Sequence, residues 1–288
     1  MITIKISGGL GNQLFQWALG RSISECRQRP VRYVCYDISS FNDDPQRCYL
    51  LDRLGLKLSL HGATGKVIME QGLRYQPEIL QFDNANDYVL HGYWQCEKYF
   101  SAIQDVIRSE VFHGMEISAA SHRIASEIQR RTSAFLHVRR TDNTHPAHTA
   151  VHGLLGLDYY GRAAQILRAR VPDVHFFIFS DEPEWAKEHM RDLDMTVVDC
   201  NPVSGTLKPD GELQKGTIGR ENEDLWLMSL CQHGIVANST FSWWGAWLNP
   251  AEKNGKRVVI APQQDGWFQT GMTRLDSTDI IPDRWSRI

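Results

Sequence analysis

An α/β fold built on two parallel sheets is predicted from three features of this 288-residue chain. Short apolar runs alternate with helix-period segments, which is the pattern of βαβ units. The alternation starts twice, at the N-terminus and again near residue 134. Charged and small polar residues directly follow several of the apolar runs, at the strand ends where open parallel sheets bind ligands. The expected architecture is two Rossmann-like halves with a cleft between them. The boundary falls within 115–133 and is drawn as 1–125 and 126–288.

In the first half, residues 2–6 alternate apolar with polar as a strand does. They run into Ser7-Gly8-Gly9-Leu10-Gly11-Asn12-Gln13, after which Leu14, Phe15, Ala18, Leu19 and Ile23 recur at helical spacing. Residues 31–35 and 88–91 read as further strands and 98–111 as an amphipathic helix. Residues 37–87, rich in Asn, Asp, Gly and Gln, are predicted to hold inserted helices and loops. In the second half, strands are expected over 134–138, 175–179, 196–198, 235–237 and 258–260. Helices are expected over 159–170, from Pro183, over 222–232 and over 241–248. A loop with Pro146 and Gly153 follows the first of these strands, and a polar Gly/Pro loop covers 199–219.

Lys and Arg number 31 against 34 acidic residues, and no block of like charge stands out, so no general nucleic-acid or membrane surface is implied. The six cysteines form no CxxC pair and no metal-finger spacing, which fits free thiols in a reducing compartment. The N-terminus enters a strand pattern without a basic region or an apolar leader, and no apolar run reaches membrane-spanning length. A cytoplasmic protein is expected, and the Asn238-Ser239-Thr240 sequon is then no glycosylation site.

The most informative stretch is His137-Val138-Arg139-Arg140-Thr141-Asp142. It follows an apolar run, so its charges emerge at a strand's carboxyl end. Arginine there offers a permanent planar fork for phosphate oxygens, and a surface ion-pair cluster is the competing role. The glycine loop at 8–13 lets backbone approach a ligand and aims helix N–H groups at it. It lacks the third glycine of a dinucleotide fingerprint and the Gly-Lys-Ser/Thr of a P-loop, and no acid closes the second strand before Asp37. A nicotinamide oxidoreductase is disfavoured accordingly. Ser180-Asp181 ends another strand, where a hydroxyl and a carboxylate can meet a sugar or base; capping of the helix opened by Pro183 is the competing role. Asn238, Ser239, Thr240 and Ser242 stand at a strand-to-helix junction, a ready anion site whose competing role is again an N-cap. Trp243, Trp244 and Trp247 are expected in the core.

Two lookalikes are set aside. Asp192-Leu193-Asp194 has the DxD form of metal-dependent glycosyltransferases, but it precedes a strand's entering end. His145, His148 and His152 lack helical register, so contact with a polar substrate or solvent is expected of them rather than a metal.

Taken together, the blocks Gly8 to Gln16, Gly92-Tyr93-Trp94-Gln95, His137 to Asp142, Phe179-Ser180-Asp181 and Asn238 to Leu248 resemble the bacterial α-1,2-fucosyltransferases of glycosyltransferase family 11. The blocks span nearly the whole chain in the family's order. The resemblance implies a GT-B fold, with residues 1–125 on the acceptor side and 126–288 binding GDP-fucose. It also implies inversion at the fucose anomeric carbon, no cofactor and no required metal. The implied acceptor is a terminal β-galactoside in an oligosaccharide or lipid-linked glycan, the latter allowing peripheral membrane association. A related GDP-sugar transferase or a catalytically silent glycan-binding protein are the alternatives.

Residue by residue, the resemblance puts Arg139 on the departing diphosphate, with Arg140 either beside it or holding Asp142. Ser239, Thr240 and Ser242 would contact phosphate oxygens together with Asn238. His137 and Asp224 match nucleoside positions, with Ser180 and Asp181 also on the donor; helix-dipole pairing is the competing role for Asp224. Gly11, Asn12 and Gln13 would face the donor across the cleft, and Tyr93, Trp94 and His152 the acceptor. Asp142 is the candidate general base with His152 behind it, and an ion pair to Arg140 is its competing role. The glutamate suggested as base farther along this loop in α-1,6-type relatives does not carry over, since 143–151 contain no acid. Thr141 stands where the family often has glycine.

Overall fold

Among the described residues, ten strands and seven α-helices carry the predicted alternation. The structure is a computed structural model and describes residues 1–35, 49–58, 60, 62, 64–83, 85–140, 153–202, 219–250, 257–263, 267 and 276–288. The chain divides into two units. One contains Met1–Met115 and Thr278–Pro282, and the other contains the elements between Glu116 and Ser277 together with Asp283–Ile288.

The first unit is a parallel sheet of β1 (Ile2–Lys5), β2 (Val31–Val34), β3 (Lys66–Met69) and β4 (Tyr88–His91), in the order β2-β1-β4-β3. Ile2 sits opposite both Val31 and Tyr88, so β1 is central. Helix α1 (Leu10–Arg27) packs on β1 and β2 and buries Leu14, Phe15, Ala18 and Leu19 completely. The helix predicted over 98–111 forms as two 3-10 turns, Glu97–Tyr99 and Ser101–Ile103, leading into α2 (Gln104–Glu110). Strand β3 corrects the expectation of only helices and loops over 37–87. It is an edge strand whose Lys66, Val67 and Met69 are exposed, so its sequence shows no core alternation. The return segment Thr278–Pro282 is tied to this unit by Asp279, which accepts the Tyr75 N–H (3.0 Å) and pairs with Lys98 (2.6 Å) and Arg74 (2.9 Å).

The second unit is a six-stranded parallel sheet of β5 (Ser133–Val138), β6 (His175–Ser180), β7 (Met195–Val198), β8 (His233–Ile235), β9 (Val259–Ala261) and β10 (Ser286–Arg287), in the order β10-β9-β8-β5-β6-β7. Every residue of β5 and β6 is buried, as expected of central parallel strands covered on both faces. Ala134, Leu136, Val138, Phe176 and Ile178 share a core with α4 (Leu157–Arg170) and with Ala186 of α5 (Pro183–His189). Helices α6 (Glu221–Leu230) and α7 (Thr240–Trp247) pack together, and Trp243, Trp244 and Trp247 are core, with rings 5.1 to 6.0 Å apart.

Helix α3 (Ala119–Arg130) packs on α6, which places the division at Met115, ahead of 125/126. Its N-cap Ser118 accepts the Ser121 N–H (3.2 Å). Through its own N–H and hydroxyl, Ser118 donates to Glu223 of α6 at 3.1 and 2.6 Å.

Strand β8 begins ahead of the predicted 235–237 because Gly234 interrupts its apolar pattern. That glycine admits the Phe135 ring, since a Cβ at Gly234 would lie 2.3 Å from Phe135 Cε1. Gly234→Ala is expected to destabilise the second unit by about 2 kcal/mol through overpacking, measured as a lowered urea midpoint. No helix among the described residues is long and apolar enough to cross a membrane.

Candidate functional site

In the second sheet β5 lies between β6 and β8, so the chain leaves β5 and β8 at the point where strand order reverses. Such a switch point, at the carboxyl edge, is where open α/β sheets place ligands. The loop after β5 carries Arg139 and Arg140, and the junction after β8 carries Asn238, Ser239 and Thr240.

The two arginines are held differently. Asp181, at the end of β6 with a side chain 4% exposed, pairs with Arg139 Nη1 at 3.3 Å and accepts the Arg140 N–H at 2.9 Å. One buried carboxylate thus fixes the guanidinium of the first arginine and the backbone of the second. The Arg140 side chain turns to Glu182 (3.0 Å) and lies 3.9 Å from the centre of the Trp185 ring. Arg140 is thereby committed to its own scaffold, while Arg139 keeps a side chain 23% exposed at the switch point. Capping does not explain Asp181, because the residue at the start of α5 is Glu182 and makes no side-chain cap bond. Ser180 braces the turn instead, its hydroxyl accepting the Glu182 N–H at 3.0 Å.

Helix α7 starts at the same edge. Its N-cap residue, Ser239, makes no side-chain cap bond, so the capping role is not what occupies this hydroxyl. Ser239 and Thr240 are half-buried and Asn238 is buried, within 3.5 Å of the Gly153 carbonyl. Ser242 departs from the expected phosphate contact. It is fully buried, accepts the Ala237 N–H (3.2 Å) and donates to Ser239 O (3.2 Å), bracing the junction from inside.

His137 precedes Arg139 on β5 and packs 5.7 Å from Phe241. Burial, reinforced by the Arg139 charge, lowers its pKa to about 3, so the imidazole is neutral; its Nδ1 is buried without a partner. Asp224, in the first turn of α6, is buried and receives a 2.7 Å hydrogen bond from Asn201, which also bonds Ser121. Burial raises the Asp224 pKa to about 8, with Glu221 and Glu223 adding to the rise and the Asn201 bond opposing it. Its ordinary value is 3.8, so between there and about 8 the folded chain holds a proton that the unfolded chain has released. The resulting stabilisation is present below the ordinary value and is lost as pH rises through the folded one. Urea midpoints should show wild type losing stability relative to Asp224→Asn between about pH 4 and about pH 8.

In the first sheet the strand order reverses between β1 and β4, and the glycine loop and the 92–95 turn leave from there. Gly8 has φ +77°, a left-handed conformation that glycine adopts without strain. Gln16 binds the two loops together, accepting the Ser7 N–H (2.8 Å) and donating to Gly92 O (2.9 Å). Asn12 accepts from Gln95 (2.9 Å) and is half-buried, while Gly11 is buried within the first turn of α1. Gln13 does not face outward as expected. It is 1% exposed, donates to Gly8 O (2.8 Å) and accepts the Leu50 N–H (3.0 Å). Trp94 is likewise a correction: it is fully buried, edge-on to Tyr99, whereas Tyr93 is 40% exposed. The periodic pattern could not separate the two aromatic neighbours, because the turn puts Trp94 at φ +58°.

Asp194 of the DxD lookalike pairs with His175 at 3.0 Å, at the entering edge of the sheet. Among the described residues no cluster of three His, Cys, Asp or Glu side chains could hold a metal. Thr141, Asp142, His145, His148 and His152 lie outside the described residues. Sequence reasoning missed Asn201, Glu182 and Trp185. Asn201 and Glu182 closely follow strand ends, and that position was the one signal that could have found them; the stacking of Trp185 had no sequence signal.

The chain is 27% identical to an Alpha-1,2-colitosyltransferase of Escherichia coli, across 100% of this chain and 99% of that protein. It is 23% identical to a Galactoside 2-alpha-L-fucosyltransferase of Caenorhabditis elegans, across 100% of this chain and 79% of that protein. In fold it is similar to the crystal structure of NodZ alpha-1,6-fucosyltransferase soaked with GDP-fucose, with a TM-score of 0.50 and 13% identity over 92% of this chain and 95% of that one. A family profile described as Glycosyl transferase family 11 matches residues 74–278, more than half of the chain. On that match, and on its blocks at the two switch points, the chain belongs to glycosyl transferase family 11.

Proposed function

We propose that this chain transfers L-fucose from GDP-β-L-fucose to the 2-hydroxyl of a terminal β-galactoside, with inversion and without a metal. The observation that carries the proposal is Arg139, fixed by buried Asp181 at the switch point where α7 begins without a side-chain cap. A departing GDP needs its growing diphosphate charge met, and a fixed guanidinium with helix N–H groups meets it without a cation. The acceptor hydroxyl oxygen forms the new bond to the fucose anomeric carbon as the bond to the β-phosphate oxygen breaks. A base on the face opposite GDP takes the hydroxyl proton. Asp142 is the proposed base, with His152 behind it.

His137 and Asp224 are assigned to the nucleoside. Ionised Asp224 suits the two N–H donors of a guanine edge, so GDP binding should release its proton. In this reading the chain is a GT-B enzyme, its first unit on the acceptor side and its second holding the donor, acting in the cytoplasm on a free or lipid-linked glycan.

Colitose is the second reading for the donor, favoured by the α-1,2-colitosyltransferase relative. The two sugars differ by the 3-hydroxyl of fucose, so direct competition decides between them. Incubation with GDP-fucose or GDP-colitose and a panel of β-galactosides, with product linkage assigned by NMR, tests the proposal. Fucose on the galactose 2-hydroxyl with an inverted anomeric centre is expected. Product with colitose alone, or on another hydroxyl, overturns the donor or the linkage respectively.

A further inference from the structure

Glu70 has no place in the chemistry above, yet it is built into the first unit's switch point. It follows β3 directly and extends the ladder to β4 through its N–H to His91 O (3.0 Å). Its carboxylate accepts two successive backbone donors, the Tyr93 N–H at 2.7 Å and the Trp94 N–H at 2.9 Å. Burial raises the Glu70 pKa, and these two bonds oppose the rise. Gly92 makes the approach possible, since a Cβ there would lie 2.4 Å from Glu70 Cβ and 2.7 Å from Oε2. Gln16 holds the Gly92 carbonyl from the other side, and the turn passes Trp94 through φ +58° into the core.

This clamp leaves one large side chain outside. Tyr93 is 40% exposed, one of the few large apolar side chains at the surface among the described residues, and its ring edge lies 3.1 Å from where a Cβ of Gly8 would be. Two residues on, the Gln95 side-chain oxygen is buried without a partner while its amide donates to Asn12. An exposed aromatic face beside a glycine loop suits a sugar ring, which offers apolar C–H faces for stacking.

We infer that Glu70 is a positioning residue for the acceptor sugar: it fixes the 92–94 turn so that Tyr93 stands as the platform on which the galactoside stacks. The inference rests on the acceptor-side reading of the first unit. A carboxylate is required because both partners are donors. Glutamine has one acceptor oxygen, and its amide hydrogens would confront the second N–H.

The test is a double-mutant cycle on Glu70→Gln and Tyr93→Ala, read as acceptor KM for transfer and as β-galactoside Kd by saturation-transfer NMR with GDP present. Glu70→Gln is expected to weaken acceptor binding on the order of tenfold, one charge-assisted hydrogen bond being lost. GDP affinity by calorimetry should stay within about twofold, and the double variant should be no weaker than Tyr93→Ala alone. Gly92→Ala, which displaces the carboxylate from the other side, should reproduce the Glu70→Gln loss. Unchanged acceptor binding in Glu70→Gln, or additive losses in the double variant, would overturn the inference. Wild type that binds a β-galactoside but transfers no sugar to it would sink the proposed reaction and leave the clamp to the NMR arm. Wild type that binds no β-galactoside would sink the clamp as well.

Discussion

Arg139→Ala is expected to abolish sugar transfer while the chain stays folded. The guanidinium stands at the switch point of the second sheet, its side chain partly exposed and paired with Asp181. Removing a fixed donor from a charge that grows in the transition state costs about 3 kcal/mol or more, a loss on the order of a hundredfold or greater in kcat. Arg139→Lys should recover little, because a point charge cannot reproduce a planar fork on two phosphate oxygens. Arg140→Ala should differ in kind. Its guanidinium is engaged by Glu182 and Trp185, so that variant should lose thermal stability first and activity through the loosened loop. Steady-state kinetics and thermal midpoints on the three variants check the distinction; near-normal kcat in Arg139→Ala would remove the leaving-group role.

Asp181→Ala should cost the second unit both stability and activity. Its carboxylate is 4% exposed and serves both the Arg139 guanidinium and the Arg140 N–H. Only the carboxylate of this pair is buried, and the Arg139 guanidinium left behind is 23% exposed and reached by water, so the stability cost is about 1 to 3 kcal/mol. The larger consequence is catalytic, because Arg139 loses the contact that aims it. Asp181→Asn, which retains shape and an acceptor oxygen for Arg140, should fold well yet still lose kcat. Asp181→Asn combined with Arg139→Ala should be no slower than Arg139→Ala alone. Additive losses in kcat would show that Asp181 acts on the donor directly and not through the arginine.

The parallel strands and their order of appearance were legible because buried strands and amphipathic helices carry their own periods. The carboxyl-end clusters were legible because charged, glycine and small polar residues directly follow apolar strand runs at several places in one chain. Strand β3 was not, since an exposed edge has no reason to alternate; α3 was missed although its buried Ser121, Ala125 and Ile128 recur at helical spacing. At the site, sequence adjacency misled wherever the chain turns. Tyr93 and Trp94 part to surface and core, and Ser239 and Ser242 part to the helix start and the junction interior. The family resemblance grouped Gln13 with Asn12, but its two backbone bonds use it inside the loop. Separating such neighbours takes three-dimensional contacts: the Asp181 bridge joins residues from two strands, and Glu70 reaches Tyr93 across a strand pair.

The proposed metal-free transfer has protein donors, Arg139 foremost, in place of a metal ion at the departing GDP. Its most direct measurement is the initial rate of transfer from GDP-fucose to an accepted β-galactoside, with chelator in excess and again with added Mg²⁺ or Mn²⁺. The predicted result is one rate under all conditions for wild type, with no metal restoring Arg139→Ala. A wild-type rate that collapses in chelator and returns with the metal would contradict it.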